Sequence, residues 1–247
     1  MTGEPRPFPV IDGHELAWVS AEEMREVDRI MVDEVGILLI QMMENAGRNL
    51  AELALARFAP TTAAVLVGSG GNGGGGMVAA RHLTDRGVDV RVVTAMVDAT
   101  LGELPRLQME TLRKMHVPVT VEPAPADLVV DALIGYSLAG DPRGRVAELI
   151  AWSAGQTAPI LSLDLPSGLD ATSGRIGDPC VHATATLTLA MPKTGLRPGR
   201  AAVGELYLAD ISVPPSVYLG VGHQVAPLFA RGTVLRVGES DAFPDVP

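Results

Sequence analysis

The sequence lacks the usual marks of a secreted protein. It contains one cysteine, Cys180, which cannot form a disulfide within the chain. Its first ten residues carry one acidic and one basic side chain and are interrupted by proline, whereas a secretory signal begins with a basic stretch and continues with an apolar one. These absences predict a cytoplasmic location.

Long apolar runs and basic clusters are lacking as well. The most apolar region, 158–169, is interrupted by Asp164 and Pro166, and a bilayer-spanning helix needs about 20 apolar residues. The chain carries 19 Lys+Arg against 29 Asp+Glu, a formal charge of −10. Such a chain offers no basic surface to a nucleic acid or an anionic membrane, so we expect neither as a partner.

Aromatic residues are only 4% of the chain, although 47% of it is hydrophobic. The core must therefore be built mainly from aliphatic side chains and methionine. The length and composition are typical of one folded domain. We predict a single domain over residues 1–247, with its core at about 18–214 and flexible ends.

Two helices are predicted before any strand. Ser20 and Glu23 form a capping-box pattern at the start of a helix over 20–34, and an apolar stripe predicts another over 38–58. Short apolar runs then alternate with helical segments, which predicts an α/β fold with a parallel sheet covered by helices on both faces. The predicted strands are 63–67, 90–94, 127–134, 159–163, 182–189 and 204–211.

Glycine is concentrated after the first predicted strand, where seven glycines lie in the nine residues 68–76, GSGGNGGGG. Exposed backbone at the start of a helix is typical of a phosphate-binding site, and the alternative is a tight turn with surplus glycine. The pattern G-x-G-x-x-G is present, but the next strand ends in Ala95 and Met96 rather than in the acidic residue of a dehydrogenase. A Walker loop is excluded because no Lys followed by Ser or Thr closes the segment.

Two aspartates follow buried strands. Asp131 could bind a cation, accept hydrogen bonds from ligand hydroxyls, or cap a turn. Asp164 begins the loop DLPSGLD, where partial burial would raise its pKa toward the range useful for acid/base catalysis; the alternative is a turn before Pro166. Ser167 could offer its hydroxyl to a cation or a ligand.

Other reaction classes lack their residues. The five histidines show no metal-ligand spacing, which disfavours metal-dependent hydrolysis. No G-x-S-x-G segment is present, and no histidine lies near Ser167 in the sequence, which disfavours a serine hydrolase.

Six segments, in order, resemble the YjeF N-terminal domain family, the NAD(P)HX epimerases. The resemblance covers about residues 18–214 and implies a Rossmann-like three-layer α/β/α sandwich with a mostly parallel central sheet. It also implies an isomerase that interconverts the R and S hydrates of NADH and NADPH at C6, for repair of nicotinamide nucleotides. The segments are SAEEMREVDR (20–29), MENAGR (43–48), the glycine segment running into MVAARHL, VVDALIG (129–135), DLPSGLD (164–170) and PKTGL (192–196).

The resemblance also implies the site residues. Asp164 is the expected catalytic acid/base. A potassium ion is expected on Asn72, Asp131 and Ser167, all of which carry oxygen atoms suited to a hard cation. Contacts with the substrate NAD(P)HX are expected from Gly71, Asn72, Gly73, Gly74, Gly75, Gly135, Tyr136, Ser137, Leu138, Ala139, Gly140, Asp141, Asp164 and Lys193.

The glycine segment departs from the family pattern. The family usually has GNNGGDG where this chain has GGNGGGG, so Gly71 replaces an asparagine and Gly75 an aspartate. Each lost charge-assisted hydrogen bond would weaken binding by about 1.5–3 kcal/mol. Two alternatives therefore stand beside the epimerase: a non-catalytic binding or scaffold module, and a paralogue with a different ligand.

The resemblance further implies two partners. A separate NAD(P)HX dehydratase would consume one epimer, since no kinase-like dehydratase domain follows in this sequence. A homodimer is expected, with the early helices from Met24 to Leu53 as its interface.

Overall fold

The computed structural model describes residues 8–95 and 100–238. Met96, predicted to follow the second strand of the α/β alternation, lies outside them. The strands are β1 (Val10–Asp12), β2 (Thr62–Val67), β3 (Asp89–Thr94), β4 (Val119–Thr120), β5 (Leu128–Ala132), β6 (Ile160–Leu163), β7 (Ala185–Leu189), β8 (Glu205–Ala209) and β9 (Val234–Gly238). The helices are α1 (Ala21–Ile30), α2 (Leu39–Phe58), α3 (Gly71–Thr84), α4 (Glu103–Lys114), α5 (Gly144–Ala154), α6 (Arg200–Val203) and α7 (Pro215–Leu219).

The strands form one sheet in the order β1-β9-β8-β7-β6-β5-β2-β3-β4. Neighbouring strands run parallel except β8 and β9, which are antiparallel. The predicted α/β class with a mostly parallel sheet is therefore confirmed.

Helices cover both faces of the sheet. Val65 packs on one face in a cluster that includes Met77 of α3, whereas its neighbour Leu66 packs on the other face with Leu149 and Ile150 of α5. Successive side chains of a strand point to opposite faces, so both faces of the central strands are buried, as is usual for parallel sheets. The arrangement has the three predicted layers.

The first two helices lie where the sequence predicted them. Ser20 Oγ accepts a hydrogen bond from the Glu23 amide at 3.1 Å, and Glu23 Oε2 accepts one from the Ser20 amide at 2.6 Å. This capping box begins α1, which continues as a π-helical turn, Met31–Val35, and ends at Gly36 with φ +81°.

The predicted limits of the core were too narrow. β1 pairs with β9, and β9 pairs with β8, so ordered structure continues on both sides of 18–214. The added strands bury Ile11, Leu235 and Val237. Runs of three to five residues are too short for a reliable periodic signal, and each of these strands is stable only against its neighbours in the sheet.

The glycine segment does not simply precede a helix, since α3 begins at Gly71 and contains Gly73 to Gly76. These glycines are buried where another element approaches closely. A Cβ at Gly76 would lie 2.5 Å from Ala132 Cβ, and one at Gly73 would lie 2.0 Å from Gly68 O. Close packing thus explains glycines that would otherwise weaken a helix by roughly 1 kcal/mol each, and it brings the start of α3 against the end of β5. None of the described helices is long and apolar enough to cross a membrane.

Candidate functional site

The strand order reverses direction between β2 and β5. From β2 the chain proceeds to β3 and β4 on one side, and from β5 it proceeds to β6, β7 and β8 on the other. In open α/β sheets the ligand crevice lies at such a reversal, outside the carboxyl ends of the strands. The loops after β2, β5, β6 and β7 meet there, so the structure brings the three predicted loops to one edge.

Asp131, at the end of β5, is completely buried. Its Oδ1 accepts hydrogen bonds from Ser167 Oγ at 2.6 Å and the Leu133 amide at 3.3 Å. Its Oδ2 accepts from Ser162 Oγ and the Ser167 amide, both at 2.8 Å. Burial raises the pKa of Asp131, and the hydrogen bonds from Ser167 and Ser162 act against that rise. Each oxygen therefore accepts two hydrogen bonds, all of them from neutral donors.

Ser167 ties two loops together. Its hydroxyl donates to Asp131 and accepts from the Ile134 amide at 2.9 Å. Its own amide donates to Asp131 as well. The loop after β6 is thereby fixed to the loop after β5, and the hydroxyl is held by these bonds rather than free to act as a nucleophile.

Asp164, directly after β6, is buried but bonded very differently. Three hydrogen bonds reach its Oδ1: from Lys193 Nζ, from the Leu189 amide at 3.2 Å and from Thr188 Oγ1 at 3.4 Å. Its Oδ2 accepts none from the part of the chain that the structure describes. Within that part the sealed side-chain atoms without partners are Asn72 Nδ2, Arg197 Nε and Tyr218 OH, so Asp164 Oδ2, which also lacks a partner there, is not fully sealed from solvent.

The backbone of Asp164 is also unusual. Its φ is +67°, a left-handed conformation that aspartate and asparagine adopt more readily than other non-glycine residues. This conformation turns the chain at the end of β6. The turn places the carboxylate over the carboxyl edge of the sheet, toward Thr188 and Leu189 at the end of β7.

Lys193 is 1% exposed and forms an ion pair with Asp164 Oδ1. Its ammonium also donates to the Leu189 carbonyl at 2.9 Å. A buried charge is tolerated only when it is paired and hydrogen-bonded, and these contacts meet both conditions. The ion pair therefore fixes Asp164 without occupying Oδ2.

Asn72 is the second residue of α3. A Cβ placed on Gly135 would lie 3.4 Å from Asn72 Oδ1, so the amide rests against the loop after β5. Its Nδ2 is buried without a partner among the described residues. Because nearly all buried polar groups have partners, this unsatisfied N–H donor marks a place where a hydrogen-bond acceptor on a ligand would complete the site.

The chemistry of Asn72, Asp131 and Ser167 fits a hard monovalent cation. All three carry oxygen atoms, which such ions prefer, and no lysine, arginine or histidine contacts Asp131 within 8–95 and 100–238. In the same ranges no group of three or more His, Cys, Asp or Glu could hold a metal ion. A cation here would therefore depend on amide, hydroxyl and backbone oxygens together with one carboxylate.

The loop after β5 is held at both ends. Tyr136 is half-buried, and its hydroxyl donates to Asp28 Oδ2. Asp141 is exposed and accepts from Arg175 Nη1 at 2.7 Å, a contact that lowers the pKa of Asp141. Between them Ser137, Ala139 and Gly140 are exposed and Leu138 is half-buried. The middle of the loop is thus the accessible part.

Gly71 and Gly75, where the family pattern has asparagine and aspartate, occupy different surroundings. A Cβ at Gly71 would have nothing within 4 Å, whereas one at Gly75 would lie 2.8 Å from Leu163 Cδ2. Asparagine would fit at the first position, and aspartate at the second would displace Leu163. Gly73, Gly74 and Gly75 are buried. As glycines they have only backbone groups to offer a ligand.

Asp28 is a residue of the site that the sequence analysis missed. It lies on α1, half-buried, and its pKa is raised mainly by burial and further by the charge of Asp164; Tyr136 and Lys193 lower it. One signal was present: Asp28 follows Met24 by four residues and so shares its face of the helix, where an acidic side chain is out of place.

Comparisons with known proteins agree on one family. The model of the family described as YjeF-related protein N-terminus matches residues 39–195. An NAD(P)H-hydrate epimerase of Dehalogenimonas lykanthroporepellens is 45% identical, with 95% of this chain and 98% of that protein covered. An NAD(P)H-hydrate epimerase of Truepera radiovictrix is 35% identical, with 83% and 94% covered.

A longer relative and a solved structure are also similar. The bifunctional NAD(P)H-hydrate repair enzyme Nnr of Salinibacter ruber is 33% identical over 81% of this chain and 41% of its own length. The crystal structure of yeast ynu0, YNL200c, matches with a TM-score of 0.78 and 23% identity, covering 90% of this chain and 100% of that one. At this identity the structural match establishes the fold.

Proposed function

Because the chain belongs to the family of YjeF-related protein N-termini, we propose that it is an NAD(P)H-hydrate epimerase that interconverts the R and S C6-hydrates of NADH and NADPH. One observation carries the proposal. Asp164 has one oxygen anchored by Lys193, and its other oxygen accepts no hydrogen bond from the described residues. An anchored carboxylate with a free oxygen is suited to giving and taking a proton.

The proposed reaction follows from the substrate. A hydroxyl beside the ring nitrogen forms a carbinolamine, so the nitrogen lone pair can expel it. The C6–O bond breaks, and the hydroxyl leaves as water with a proton from Asp164 Oδ2. Water then adds to the cationic ring on the opposite face and gives a proton to a base on that face. Asp164 regains its proton from solvent, and the two transfers restore the charge balance and invert C6.

Asp164 contributes charge as well as a proton. Once it has given up its proton, the carboxylate lies beside a ring that has become positive. Lys193, the Leu189 amide and Thr188 already hold Oδ1 in place, so no reorganisation is needed when charge develops. Such preorganised groups are a large source of rate enhancement in enzymes.

Potassium remains part of the proposal. Asn72, Asp131 and Ser167 would hold it, and its charge would offset Asp131 and the substrate's diphosphate. We expect KCl to raise the melting temperature more than LiCl at equal ionic strength, and Asn72→Ala to remove the difference. Equal melting temperatures in the two salts would contradict a potassium site.

The dinucleotide would lie across the start of α3 and the middle of the loop after β5. The first-turn amides of a helix lack intrahelical partners and attract phosphate, which here supports contacts with Gly71, Asn72 and Gly73. Ser137 to Gly140 supply the accessible part of the facing loop.

The proposal is tested by measuring epimerisation directly. Each purified epimer of hydrated NADH is incubated with the protein at saturating potassium, and the two epimers are separated chromatographically over time. We expect interconversion well above the spontaneous rate. A rate equal to that of buffer alone would reject the activity.

The scaffold alternative has one observation in its favour: Leu163 fills the space beside Gly75. Because residue 75 is glycine, the site lacks the carboxylate that the family pattern has at this position. A non-catalytic module predicts no dinucleotide affinity. An increase in melting temperature with NADH or ADP-ribose would count against the scaffold alternative. Such an increase would not exclude the paralogue with another ligand.

A separate NAD(P)HX dehydratase is the proposed pathway partner, in a shared cytoplasmic compartment. The bifunctional name and greater length of the Salinibacter ruber relative support a link between epimerisation and a second repair activity. Mixing this chain with a dehydratase that takes one epimer should let both epimers be consumed. Residual unreacted epimer equal to that without this chain would contradict the link.

The proposed homodimer interface covers fewer residues than the sequence predicted. Met24 and Leu53 are buried in the chain's own core, whereas Val35, Leu38 and Leu39 are 43%, 53% and 47% exposed. A cavity of about 520 Å³ lies beside them, lined by Ile37, Ile40, Gln41, Glu44, Asn45, Gln108 and Ser212.

This surface can be tested by light scattering after gel filtration. Leu38→Asp combined with Leu39→Asp should convert a dimer to a monomer, since charge is costly in an apolar interface. Val121→Asp, at a position 56% exposed elsewhere, is the matched control. A wild-type monomer would refute the dimer.

A further inference from the structure

Asp28 and Tyr136 form a second polar pair at the cleft. The Tyr136 hydroxyl donates to Asp28 Oδ2 across 108 residues of sequence. Tyr136 belongs to the loop proposed to contact the substrate, and Asp28 comes from α1, on which the proposed reaction places no group. The pair therefore joins the first helix to the substrate loop.

This pair lies within electrostatic reach of Asp164 and Lys193. The charges of both act on the pKa of Asp28, and the charge of Asp164 also acts on the pKa of Tyr136. Burial raises both pKa values, while Arg25 lowers that of Tyr136. The two acid/base pairs are therefore electrostatically coupled.

A third group belongs to the same region. Tyr218 of α7 is 2% exposed, and its hydroxyl is buried without a partner within the described ranges. Burial raises its pKa, with further contributions from Asp210 and Asp28. An unpaired hydroxyl is uncommon in a protein core. The Tyr218 hydroxyl, whose pKa is affected by the charge of Asp28, is therefore available for a hydrogen bond that the described residues do not supply.

Inversion at C6 requires proton transfer on both faces of the ring. The departing hydroxyl takes a proton on one face, and the incoming water gives one up on the other. Asp164 is fixed through Oδ1, so its free oxygen can serve one face of a bound ring. A second proton-transfer group is needed unless the substrate dissociates and binds again with the other face of its ring toward Asp164.

We propose that Tyr136, positioned by Asp28, is that second group, an inference that rests on the proposed epimerase function. Water adding to C6 transfers a proton to Tyr136 Oη as Tyr136 passes its own proton to Asp28 Oδ2. The reverse transfers deliver a proton to a hydroxyl departing from that face. Tyr136 is then a catalytic residue and Asp28 a positioning residue that spares it a phenolate charge.

In each direction of the reaction, one of the two pairs must donate a proton and the other must accept one. The rate should fall at low pH, where Asp28 is protonated and cannot accept a proton from Tyr136, and at high pH, where no proton is left for the departing hydroxyl. A bell-shaped profile of kcat is therefore expected for the wild type. Removing the titration of Asp28 should remove one limb.

The test compares Tyr136→Phe and Asp28→Asn with wild type in the epimer assay. We expect kcat to fall about 100-fold in each, KM to change by less than about threefold, and Asp28→Asn to lose one limb of the profile. Asp28→Glu should recover part of the rate. Asp33→Asn, at a side chain 60% exposed next to α1, is the matched control and should behave as wild type.

The outcomes are distinguishable. A wild type without epimerase activity overturns the proposed function, and this inference with it. An active wild type whose two variants keep its kcat and both limbs overturns the inference alone. If Asp28→Asn does not fold, as judged by circular dichroism, Tyr136→Phe decides: an unchanged kcat refutes the role of Tyr136, and a large loss with an unchanged melting temperature supports it.

Discussion

Asp131 and Asp164 are both buried aspartates at the carboxyl ends of adjacent strands, yet they are bonded in opposite ways. Asp131 has two neutral donors on each oxygen. Within the described residues, every hydrogen bond to Asp164 reaches one oxygen, including the ion pair with Lys193, and the other oxygen accepts none. Burial and position alone therefore do not distinguish a carboxylate that holds a site together from one that can react.

The difference has a physical cause. Donors to Asp131 come from strand β6, from the loop that follows it and from the Leu133 amide, so these hydrogen bonds also fix the loop after β6. Asp164 turns out of the sheet with φ +67°, and its donors come from one side, at the end of β7 and from Lys193. We infer that Asp131 contributes mainly to stability and local charge, and Asp164 to reactivity. Four substitutions test this contrast.

Asp164→Asn should have the largest effect. Asparagine tolerates the left-handed backbone of this position but cannot exchange a proton, so we expect kcat/KM for epimerisation to fall by about 10²–10⁴. Alanine is a poorer choice because it would strain the backbone and leave Lys193 as an unpaired buried charge.

The measurement is the rate of interconversion at saturating potassium, with circular dichroism as the check on folding. Lys193 loses its counterion in this variant too, so some loss of stability is expected. A folded variant with a rate within tenfold of wild type would remove Asp164 from the chemistry.

Asp131→Asn should mainly lower stability. The amide nitrogen that replaces one oxygen cannot accept, so two of the four donors lose their acceptor, at about 1–3 kcal/mol for each unsatisfied group. We expect the free energy of unfolding to fall by about 3 kcal/mol in urea titrations without substrate. A loss below about 1 kcal/mol would show that the hydrogen bonds around Asp131 do not stabilise the fold.

Ser162→Ala and Thr188→Val form a matched pair of smaller changes. Ser162 donates to Asp131 at 2.8 Å, and Thr188 donates to Asp164 at 3.4 Å. Hydrogen bonds to charged groups contribute about 1.5–3 kcal/mol, and the longer bond is weaker. Urea titration should show the larger loss for Ser162→Ala; the reverse order would break the contrast between the two aspartates.

Gly71→Asn should have the smallest effect and the opposite sign. A side chain at Gly71 meets nothing within 4 Å, so the family's asparagine should fit and add a hydrogen bond to the dinucleotide. We expect the Kd for NADH, measured by calorimetry, to tighten about two- to tenfold. Gly75→Asp is the contrasting variant, because it must displace Leu163; tighter binding by Gly75→Asp alone would show that the cleft is arranged differently.

Much of the architecture could be predicted from local pattern. The first two helices, the central strands and the mostly parallel sheet follow from periodicity and capping, which depend on residues a few positions apart. The outer strands β1 and β9 could not be predicted, because runs of three and five residues are stable only when paired. The reason for the four consecutive glycines of α3, Gly73 to Gly76, could not be predicted either, because it is the close approach of residues distant in sequence: Gly68, Met43, Leu163 and Ala132.

The sequence by itself determined which residues would meet. Parallel strands end at one edge of a sheet, so Asn72, Asp131, Asp164 and Ser167 had to gather there once the strands were recognised. Only the tertiary structure decided how they are used: that each oxygen of Asp131 accepts two hydrogen bonds, that Asp164 is bonded through one oxygen among the described residues, that Lys193 pairs with it and that Asp28 reaches Tyr136. Hydrogen-bond direction depends on side chains that lie tens to more than a hundred residues apart, and no local periodicity encodes which atom of a carboxylate they reach.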